Sequence, residues 1–488
     1  MEAVRPHLEP PQSTTTKSAS PFKLHLLKIP AASLRRNFSP PPSSLSTLLK
    51  ALRPEYAQRP SVALVDHPFC AEFLNFSSAT MATTLAHGHA DGQTLKSSDA
   101  AEHRRRVHHD ADVVIIGAGV LGCALAVTLG RQGRSVLLLE QSLKEPDRIV
   151  GELLQPGGVS ALEQLGLRDC LEGIEGIPTE GYYVTYMGKP VKIPYPIQSP
   201  GAPRPEGKSF HHGRFVMKLR EAARACPNVT IVETKVTDLV TCSHTKQVLG
   251  VECVTKESKD CYFGQVTVVA DGYASKFRKQ HHPYTPKVRS KFWGLELIDA
   301  ELPQPHYGHV LLNTNCPPIL VYQIGTRETR ILCDIPENLP SASVKNGGVK
   351  GHLRNVVLPS LPKCIQPSFA AALDKGQLRS MPNSFLPSAT NKKPGLIVLG
   401  DALNMRHPLT GGGMTVALND VVILRDLLSP VNVPKLSNTA LVLKQLSVFH
   451  WRRKMGASVI NILAQALYSL FAADGKHCLL THCHKLWF

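Results

Sequence analysis

The chain has 488 residues, 43% of them hydrophobic, and a formal net charge of +17. This length and apolar content suit one large two-lobed globular region preceded by a tail. The positive charge is not accompanied by a nucleic-acid-binding module or a basic stripe interleaved with aromatic residues, which argues against nucleic acid and favours an anionic membrane surface.

Residues 1–109 are expected to form a separate N-terminal extension. Ser, Thr and Pro are frequent there, and basic residues outnumber acidic ones in its first half. Such a composition fits either a disordered extension or a targeting peptide for a plastid or mitochondrion. Disorder is the preferred interpretation, because Glu2 and Glu9 lie so early in the chain.

The first nucleotide-binding signal begins with residues 112–116 (DVVII), a β-branched apolar run typical of a buried parallel strand. A G-x-G-x-x-G sequence (Gly117, Gly119 and Gly122) and an apolar helical segment follow. Gly117 permits a tight turn, Gly119 lets the backbone approach a pyrophosphate, and Gly122 lets helix and strand pack closely. The helix N-terminus then offers unpaired N–H groups and its positive dipole end to phosphates.

A second apolar strand ends in Glu140, about 20 residues beyond the glycines, where a carboxylate can accept hydrogen bonds from ribose hydroxyls. A lone G-x-G-x-x-G is weak support, because glycine-rich turns are common. The succession of strand, helix, second strand and terminal acid is more specific, and it predicts a Rossmann-like α/β domain.

Two later strand-and-turn elements extend this predicted site. Residues 268–272 (VVADG) place Asp271 after a strand, an element typical of flavoprotein hydroxylases, where it lies near the pyrophosphate. Residues 395–399 predict another buried strand, after which Asp401 can reach the ribityl hydroxyls of a flavin. The glycines at 411–413 lower the stability of the helix that they begin, and close approach to a ligand accounts for that cost.

Two glycine-rich turns so far apart indicate one long dinucleotide held at both ends, which favours FAD over NAD. No second G-x-G-x-x-G follows that would hold NADPH. Electrons are therefore expected from a separate reductase, or from NADPH that docks transiently.

Longer motifs make the chain resemble the squalene monooxygenase (squalene epoxidase) family from about residue 112 to about residue 471. They are GAGVLG from 117, KEPDRIVGELLQPGG from 144, IPYP from 193, FHHGRF from 210, VVADGYASKFRK from 268 and GDALNMRHPLTGGGMTVAL from 400. Aromatic-ring hydroxylases share the folding logic, but the RHPLTGGGMT form is similar to that of the epoxidases in particular.

The resemblance implies an α/β fold, with a Rossmann-like FAD-binding domain of the flavoprotein hydroxylase type and an interleaved antiparallel-sheet substrate domain. It also implies epoxidation of squalene to (S)-2,3-oxidosqualene with dioxygen, in sterol or triterpenoid biosynthesis. An NADPH-dependent cytochrome reductase is the expected electron donor. The expected location is the endoplasmic reticulum membrane with the catalytic domain facing the cytosol, and the alternative is plastid targeting by the N-terminal extension.

The implied domain boundaries divide a monooxygenase region at 110–473 from the extension and from an atypical tail at 474–488. Its parts are FAD-binding segments at about 110–180, 210–280 and 380–430, substrate-domain segments at about 181–209 and 281–379, and C-terminal helices at 431–473.

The same resemblance implies, by position in the matched motifs, which residues contact the cofactor. The FAD contacts that it implies are Gly117, Gly119, Val120, Leu121, Gly122, Glu140, Gln141, Arg148, Leu153, Arg214, Val236, Asp271, Asp401, Gly412, Gly413 and Met414. Within this set, Glu140 is assigned to the adenosine ribose, Val236 to the adenine, and Asp401 with Met414 to the flavin end. The alternative interpretation of Met414, from its sequence context alone, is a core residue.

Gln155 and Tyr182 match the polar pair that lies close to the reactive flavin ring, and they are the predicted catalytic residues. Tyr182 is expected to act by positioning, and the alternative is a buried tyrosine satisfied by a backbone partner. Gln141 stands where the family usually has Arg beside the ribose-binding acid. This change should weaken adenosine recognition modestly, because the charge is lost and a donor remains. No metal site is expected.

The C-terminal part of the chain contains no run of 18 wholly apolar residues, so no spanning helix is predicted. Residues 457–473 predict a helix whose apolar stripe either packs in the interior or lies on a bilayer. The members of that stripe are Ile460, Leu463, Leu467, Leu470 and Phe471.

The C-terminal tail and the cysteines give two further expectations. The His and Cys residues at 477–484 match no standard zinc spacing, so a truncated isoform or altered terminal exon is the preferred explanation of the tail. The 12 cysteines are scattered without a C-x-x-C pair, which favours a reduced, cytosol-facing setting.

Three functions remain open at this point. The first is a working squalene epoxidase, and the second is an FAD-binding form with little epoxidase activity. The third is a flavin-free protein that escorts isoprenoids, against which Asp401 and the three glycines at 411–413 argue.

Overall fold

A computed structural model describes residues 110–255, 259–313 and 316–471 of the protein. The extension at 1–109 and the tail at 474–488, with its His and Cys residues, lie outside these ranges, and the expectations for both stay predictions.

Strands and helices alternate through the first half of the described chain, and strands dominate its middle. The strands are β1 (Asp110–Ile116), β2 (Val136–Glu140), β3 (Leu153–Leu154), β4 (Ile177–Thr179), β5 (Gly181–Tyr186), β6 (Lys189–Pro194), β7 (Gly207–Ser209), β8 (Val229–Glu233), β9 (Lys235–Thr241), β10 (Val248–Val254), β11 (Lys259–Val269), β12 (Lys287–Ile298), β13 (Tyr307–Asn313), β14 (Cys316–Gln323), β15 (Glu328–Pro336), β16 (Arg379–Phe385) and β17 (Leu396–Val398). The α-helices are α1 (Val120–Arg131), α2 (Pro156–Gln164), α3 (His212–Ala225), α4 (Arg278–His281), α5 (Gly348–His352), α6 (Leu358–Ser360), α7 (Gln366–Lys375), α8 (Gly413–Leu427) and α9 (Thr439–Phe471).

The first sheet has the strand order β8-β2-β1-β11-β10-β9, with β17 also paired to β11. Strands β8, β2, β1, β11 and β17 run parallel to one another. Strand β10 is antiparallel to both of its neighbours, β11 and β9. The parallel strands are apolar and buried because helices cover the sheet, and α1 is buried from Val120 to Gly130.

Strand register brings the predicted nucleotide-binding turns to one edge of this sheet. Ile116 pairs with Leu139 of β2 and with Val269 of β11, and Val269 pairs in turn with Val398 of β17. The residues that follow these four strands therefore begin at the same carboxyl edge, which is where ligands bind in open α/β sheets.

The second sheet has the order β16-β12-β15-β14-β13-β5-β6, and its neighbours are antiparallel except for the parallel pair β13 and β5. A small sheet, β3-β7-β4, lies between the two in the chain. The chain enters the second sheet at β5, returns to the first at β8, enters the second again at β12, and returns at β17. The predicted α/β fold with an interleaved, mainly antiparallel domain is confirmed.

Helix α9 runs 33 residues from Thr439 to Phe471 and packs through a buried face that includes Phe449, Ala457, Ala464 and Tyr468. Of the apolar stripe predicted near its end, Leu467 and Phe471 pack against the apolar cluster of the second sheet. Interior packing is thus the role that those two residues have. Within the described ranges, every helix is too short or too polar to span a membrane.

Candidate active site

A cavity of about 220 Å³ opens at the carboxyl edge of the first sheet and extends to the second sheet. One side is formed by the start of α1, by Ala270 after β11, and by Asp401 and the start of α8. The other side is formed by Tyr182 of β5 and by strands β13 to β16, including Val310, Leu320 and Leu332. A polar, glycine-lined end and an apolar end therefore share one space.

The three glycines of the first turn have the separate roles that the sequence predicts. Gly117 has φ of +103°, and a Cβ there would lie 2.6 Å from the Ala270 carbonyl oxygen. A Cβ on Gly122 would lie 1.9 Å from the Gly117 carbonyl oxygen. Gly119, in contrast, has no atom near its Cβ position and lines the cavity, so its missing side chain leaves room for a ligand.

Glu140 at the end of β2 braces this turn. One carboxylate oxygen accepts a hydrogen bond from the Ala118 N–H at 2.8 Å, and the Arg220 guanidinium lies 3.8 Å away. Arg220 of α3 also donates to the Ala118 and Lys144 carbonyls. Sequence analysis did not identify Arg220, although an arginine among the buried positions of an amphipathic helix is a recognisable signal.

The second turn adjoins the first. A Cβ on Gly400 would lie 3.4 Å from the Leu121 side chain, so the two glycine-rich segments are in contact across the cavity edge. Arg278 ties the remaining parts together by donating to the carbonyls of Gly272, Tyr273, Asp401 and Ala402. Arg278 belongs to the VVADGYASKFRK motif but was not singled out from the sequence.

Gln155 and Tyr182 form a hydrogen-bonded pair beside the glycines at 411–413. The Gln155 amide donates to the Tyr182 hydroxyl at 2.8 Å and to the Thr410 carbonyl at 3.1 Å, and Tyr182 donates to the same carbonyl at 2.9 Å. Tyr195, missed by sequence analysis although it lies in the quoted IPYP motif, donates to the Gln155 amide oxygen. Tyr182 therefore has the backbone partner that the alternative interpretation required, and it holds the Thr410 turn in place.

The structure brings about half of the predicted residues to the cavity wall. Those that line it are Gly119, Val120, Leu121, Arg148, Leu153, Tyr182, Asp401, Gly413 and Met414. Others brace the turns behind it or lie farther away: Gly117, Gly122, Glu140, Gln141, Gln155, Arg214, Val236, Asp271 and Gly412.

Four of these residues have surroundings that differ from a direct cofactor contact. Arg214 is ion-paired with Glu175 near the surface, and Gln141 is exposed. Val236 is buried in β9, and Gly412 lies against Ile460 of α9. Their roles in FAD binding stay predictions.

Burial keeps two histidines and a tyrosine of the cavity wall neutral. It lowers the pKa of His212 to about 4, with nearby Arg148 acting in the same direction, and it lowers the pKa of His309 to about 4. Burial also raises the pKa of Tyr182 above its usual value. Near neutral pH the two imidazoles are therefore uncharged and the phenol keeps its proton.

The arrangement fits a flavin dinucleotide by its donor set and its open space. Gly119 and Gly413 both line the cavity and have no neighbour where a side chain would stand. The Asp271 carboxylate and the Arg406 guanidinium each have a buried atom without a hydrogen-bond partner among the described residues. In that part of the chain no cluster of His, Cys, Asp and Glu suits a metal ion.

Comparison with known families and proteins gives two kinds of match. The family model "FAD binding domain" matches residues 110–290, and the family model "Squalene epoxidase" matches residues 263–485. Squalene epoxidase erg1 of Aspergillus fumigatus is 76% identical over 398 residues, covering 81% of this chain and 82% of that protein. Squalene epoxidase ERG1 of Gibberella zeae is 54% identical over 404 residues, covering 78% and 81%.

Among solved structures, PqsL, a probable FAD-dependent monooxygenase from Pseudomonas aeruginosa, is similar with a TM-score of 0.62. It is 21% identical, and the match covers 78% of this chain and 99% of that one. A likeness at this identity concerns the fold alone. The match to the FAD-binding family model confirms the predicted cofactor, FAD.

Proposed function

Because this chain belongs to the squalene epoxidase family, we propose that it is an FAD-dependent monooxygenase that converts squalene to (S)-2,3-oxidosqualene with dioxygen. The observation that carries the proposal is the shared cavity, in which a glycine-lined nucleotide end continues into an apolar end. The glycine-lined end suits a dinucleotide, and the apolar end suits a hydrocarbon substrate.

When bound and reduced, FAD would activate dioxygen, of which one oxygen atom is added to the alkene and the other is released as water. The residues of this chain bind and orient. The N-terminus of α1 presents N–H groups to the phosphates, and Glu140 fixes that turn through the Ala118 N–H. Asp401, Met414 and the N-terminus of α8 line the cavity, and we assign them to the flavin end.

The apolar end of the cavity holds the hydrocarbon and excludes water. Val310, Leu320, Leu332 and Leu409 line it, and each is buried. A water-poor wall suits an oxygen transfer that water would otherwise divert. No acid or base is needed from these residues, since they act by shape.

Tyr182 and Gln155 act by positioning. Because burial raises the pKa of Tyr182, its hydroxyl keeps its proton and continues to donate to the Thr410 carbonyl. Gln155 bonds the same carbonyl and is held in turn by Tyr195. This network fixes the turn that leads into Gly411–Gly413 and α8.

An NADPH-dependent cytochrome reductase is the proposed electron donor, because the chain has no second G-x-G-x-x-G motif. A cytosol-facing position on the endoplasmic reticulum membrane is the proposed location. What supports membrane contact is an exposed apolar stripe on α9, defined by Val448, Trp451, Met455, Val459 and Ile462. We name it the α9 stripe.

The test is a reconstituted assay with purified full-length protein, a cytochrome reductase, NADPH and squalene in detergent. The expected result is a yellow protein that forms epoxide in proportion to the NADPH consumed, with little hydrogen peroxide. Omitting squalene should leave slow NADPH oxidation with peroxide as its product. A colourless protein that nevertheless binds squalene would favour the isoprenoid escort, and peroxide without epoxide would favour the weakly active form.

A further inference from the structure

Six arginine side chains are buried in the described part of the chain: Arg134, Arg220, Arg278, Arg330, Arg406 and Arg453. Two of them form bidentate pairs with buried carboxylates, Arg330 with Glu152 and Arg453 with Asp420. Arg134, Arg220 and Arg278 each donate to two or more backbone carbonyls. Each of these five is held by a carboxylate or by at least two backbone carbonyls of distant residues.

Arg406 is different. It is 8% exposed, and one guanidinium nitrogen donates to the Asn404 backbone and side-chain oxygens at 3.1 and 2.7 Å. Its Nε atom is buried without a hydrogen-bond partner, as is that of Arg134. The carboxylates of Asp401 and Asp420 act on it only through space, and among the described residues none lies within ion-pair distance of its guanidinium. Even the Asn404 side-chain oxygen is shared, because Asn461 of α9 donates to it at 3.1 Å.

The surroundings of Arg406 predict that its missing partner is a ligand. A buried cation whose hydrogen-bond acceptors are the two oxygens of one neutral residue is unfavourable unless an anion approaches it. Burial lowers the pKa of Arg406 to about 10, so the group still carries its proton near neutral pH. Arg406 lines the FAD cavity five residues after Asp401, beside Met405 and Pro408.

Two parts of the cofactor carry negative charge. The pyrophosphate is served by the N-terminus of α1, at the Gly119 turn. The isoalloxazine ring gains charge on reduction, because it takes up two electrons from the reductase and one proton, and so becomes an anion. Arg406 follows the flavin-end Asp401 and lies near the start of α8, which matches the second of these positions.

We propose that Arg406 is the counter-charge for the reduced isoalloxazine ring and raises the reduction potential of the bound FAD. The proposal rests on the proposed function, since it requires FAD in this cavity. A fixed charge in a poorly solvated site stabilises an anion more strongly than the same charge in water. The expected consequence is tighter binding of reduced FAD than of oxidised FAD.

The experiment compares the wild-type protein with Arg406→Gln and Arg406→Lys. Arg224→Gln, which removes an exposed charge from α3, is the matched control. The dissociation constant of oxidised FAD is measured by titrating the FAD-free protein, and the midpoint potential by dye-equilibrated reduction. In Arg406→Gln, reduced FAD should lose at least tenfold more affinity than oxidised FAD, which lowers the potential by about 30 mV. Arg406→Lys should retain most of the wild-type potential, and the control all of it.

Two further measurements do not depend on loading the variants with FAD. Removal of a buried charge that no carboxylate pairs with should raise the urea midpoint of FAD-free Arg406→Gln above that of the wild type, whereas a lowered midpoint would assign Arg406 a structural role and overturn the inference. In the wild type, the reduced ring should stay anionic to a lower pH than free FAD does. The slope of potential against pH should therefore change at a lower pH than for free FAD.

Distinct outcomes separate the two proposals. Equal weakening of oxidised and reduced FAD, with an unchanged potential, would assign Arg406 to the phosphates or to packing and overturn the inference. A wild-type slope change at the pH of free FAD would do the same. A wild-type protein that binds no FAD would instead overturn the proposed function.

Discussion

Glycines at the site divide into those that the fold needs and those that a ligand needs. Gly117 and Gly122 are required by the backbone, because a Cβ would overlap a carbonyl oxygen at either position. Gly119 and Gly413 have open space instead, and both line the cavity. The residue type is the same, but the physical reason for it differs.

This distinction predicts the behaviour of Gly413→Ala. Ala is favoured over Gly in a helix by roughly 1 kcal/mol, and Gly413 is the first residue of α8. The free energy of unfolding of the FAD-free protein should therefore stay constant or rise by up to about 1 kcal/mol, while the dissociation constant of FAD should rise severalfold because the new methyl group occupies cofactor space. Urea unfolding and FAD titration measure the two effects separately.

Gly456→Ala is the matched control, since Gly456 lies within α9 and also has no atom near its Cβ position. That substitution should stabilise the protein to a similar extent and leave FAD affinity unchanged. If Gly413→Ala also left FAD affinity unchanged, the open space beside Gly413 would not be cofactor space.

At the scale of secondary-structure elements, the buried pair Glu152 and Arg330 joins the small sheet to the second sheet. Glu152 immediately precedes β3, and Arg330 lies in β15. Their two hydrogen bonds measure 2.8 and 2.9 Å, and their side chains are 1% and 6% exposed. Tyr322 of β14, which lines the cavity, adds a weaker bond of 3.4 Å to the same carboxylate.

Replacing only one residue of this pair should lower the free energy of unfolding more than replacing both residues. Arg330→Met leaves a buried carboxylate without its cation, for which the expected loss is about 3–5 kcal/mol of unfolding free energy. The double variant Glu152→Gln with Arg330→Met removes both charges and should recover most of that loss. Urea unfolding of the FAD-free wild type, the two single variants Glu152→Gln and Arg330→Met, and the double variant measures the coupling as a double-mutant cycle.

Arg327→Met provides the comparison for this cycle. Arg327 precedes β15 and pairs with Asp299, but both side chains are mostly exposed, so its removal should change stability little. A double variant as unstable as Arg330→Met alone would mean that packing of the arginine stem, rather than charge compensation, accounts for the loss.

Prediction from the sequence succeeded where the signal is local. The strand, turn and helix around Gly117 to Gly122 are set by neighbouring residues, and parallel register then brings the strand before Asp401 to the same edge. Arg220 and Arg278 were missed because they act over distances of 102 and 124 residues along the chain. No local periodicity encodes which carbonyls those arginines will meet.

Helix α9 also shows that the local sequence does not encode long-range packing. Its periodicity predicted a helix, but a hydrophobic stripe does not reveal what will cover it. Leu467 and Phe471 pack inward against the second sheet, whereas the α9 stripe remains exposed. Tertiary packing, which the local sequence does not encode, decides between the faces.

At the scale of the whole molecule, the α9 stripe is an apolar surface flanked by positive charge. Its five members recur at intervals of three or four residues, and Val459 and Ile462 are 65% and 68% exposed. Arg452 and Lys454 are exposed on the same helix. Apolar side chains beside basic ones are typical of helices that lie in a membrane interface.

Binding of the full-length protein to vesicles should depend on the α9 stripe. Val459→Ser with Ile462→Ser should reduce the fraction that sediments with anionic phospholipid vesicles, since insertion of each side chain contributes on the order of 1–2 kcal/mol. Val344→Ser with Val431→Ser changes two even more exposed apolar side chains elsewhere and should bind as the wild type does. Binding should also weaken with neutral lipid and with added salt, because Arg452 and Lys454 contribute through charge. FAD content should be the same in all three proteins, and equal sedimentation of both double variants would assign membrane contact to another part of the chain.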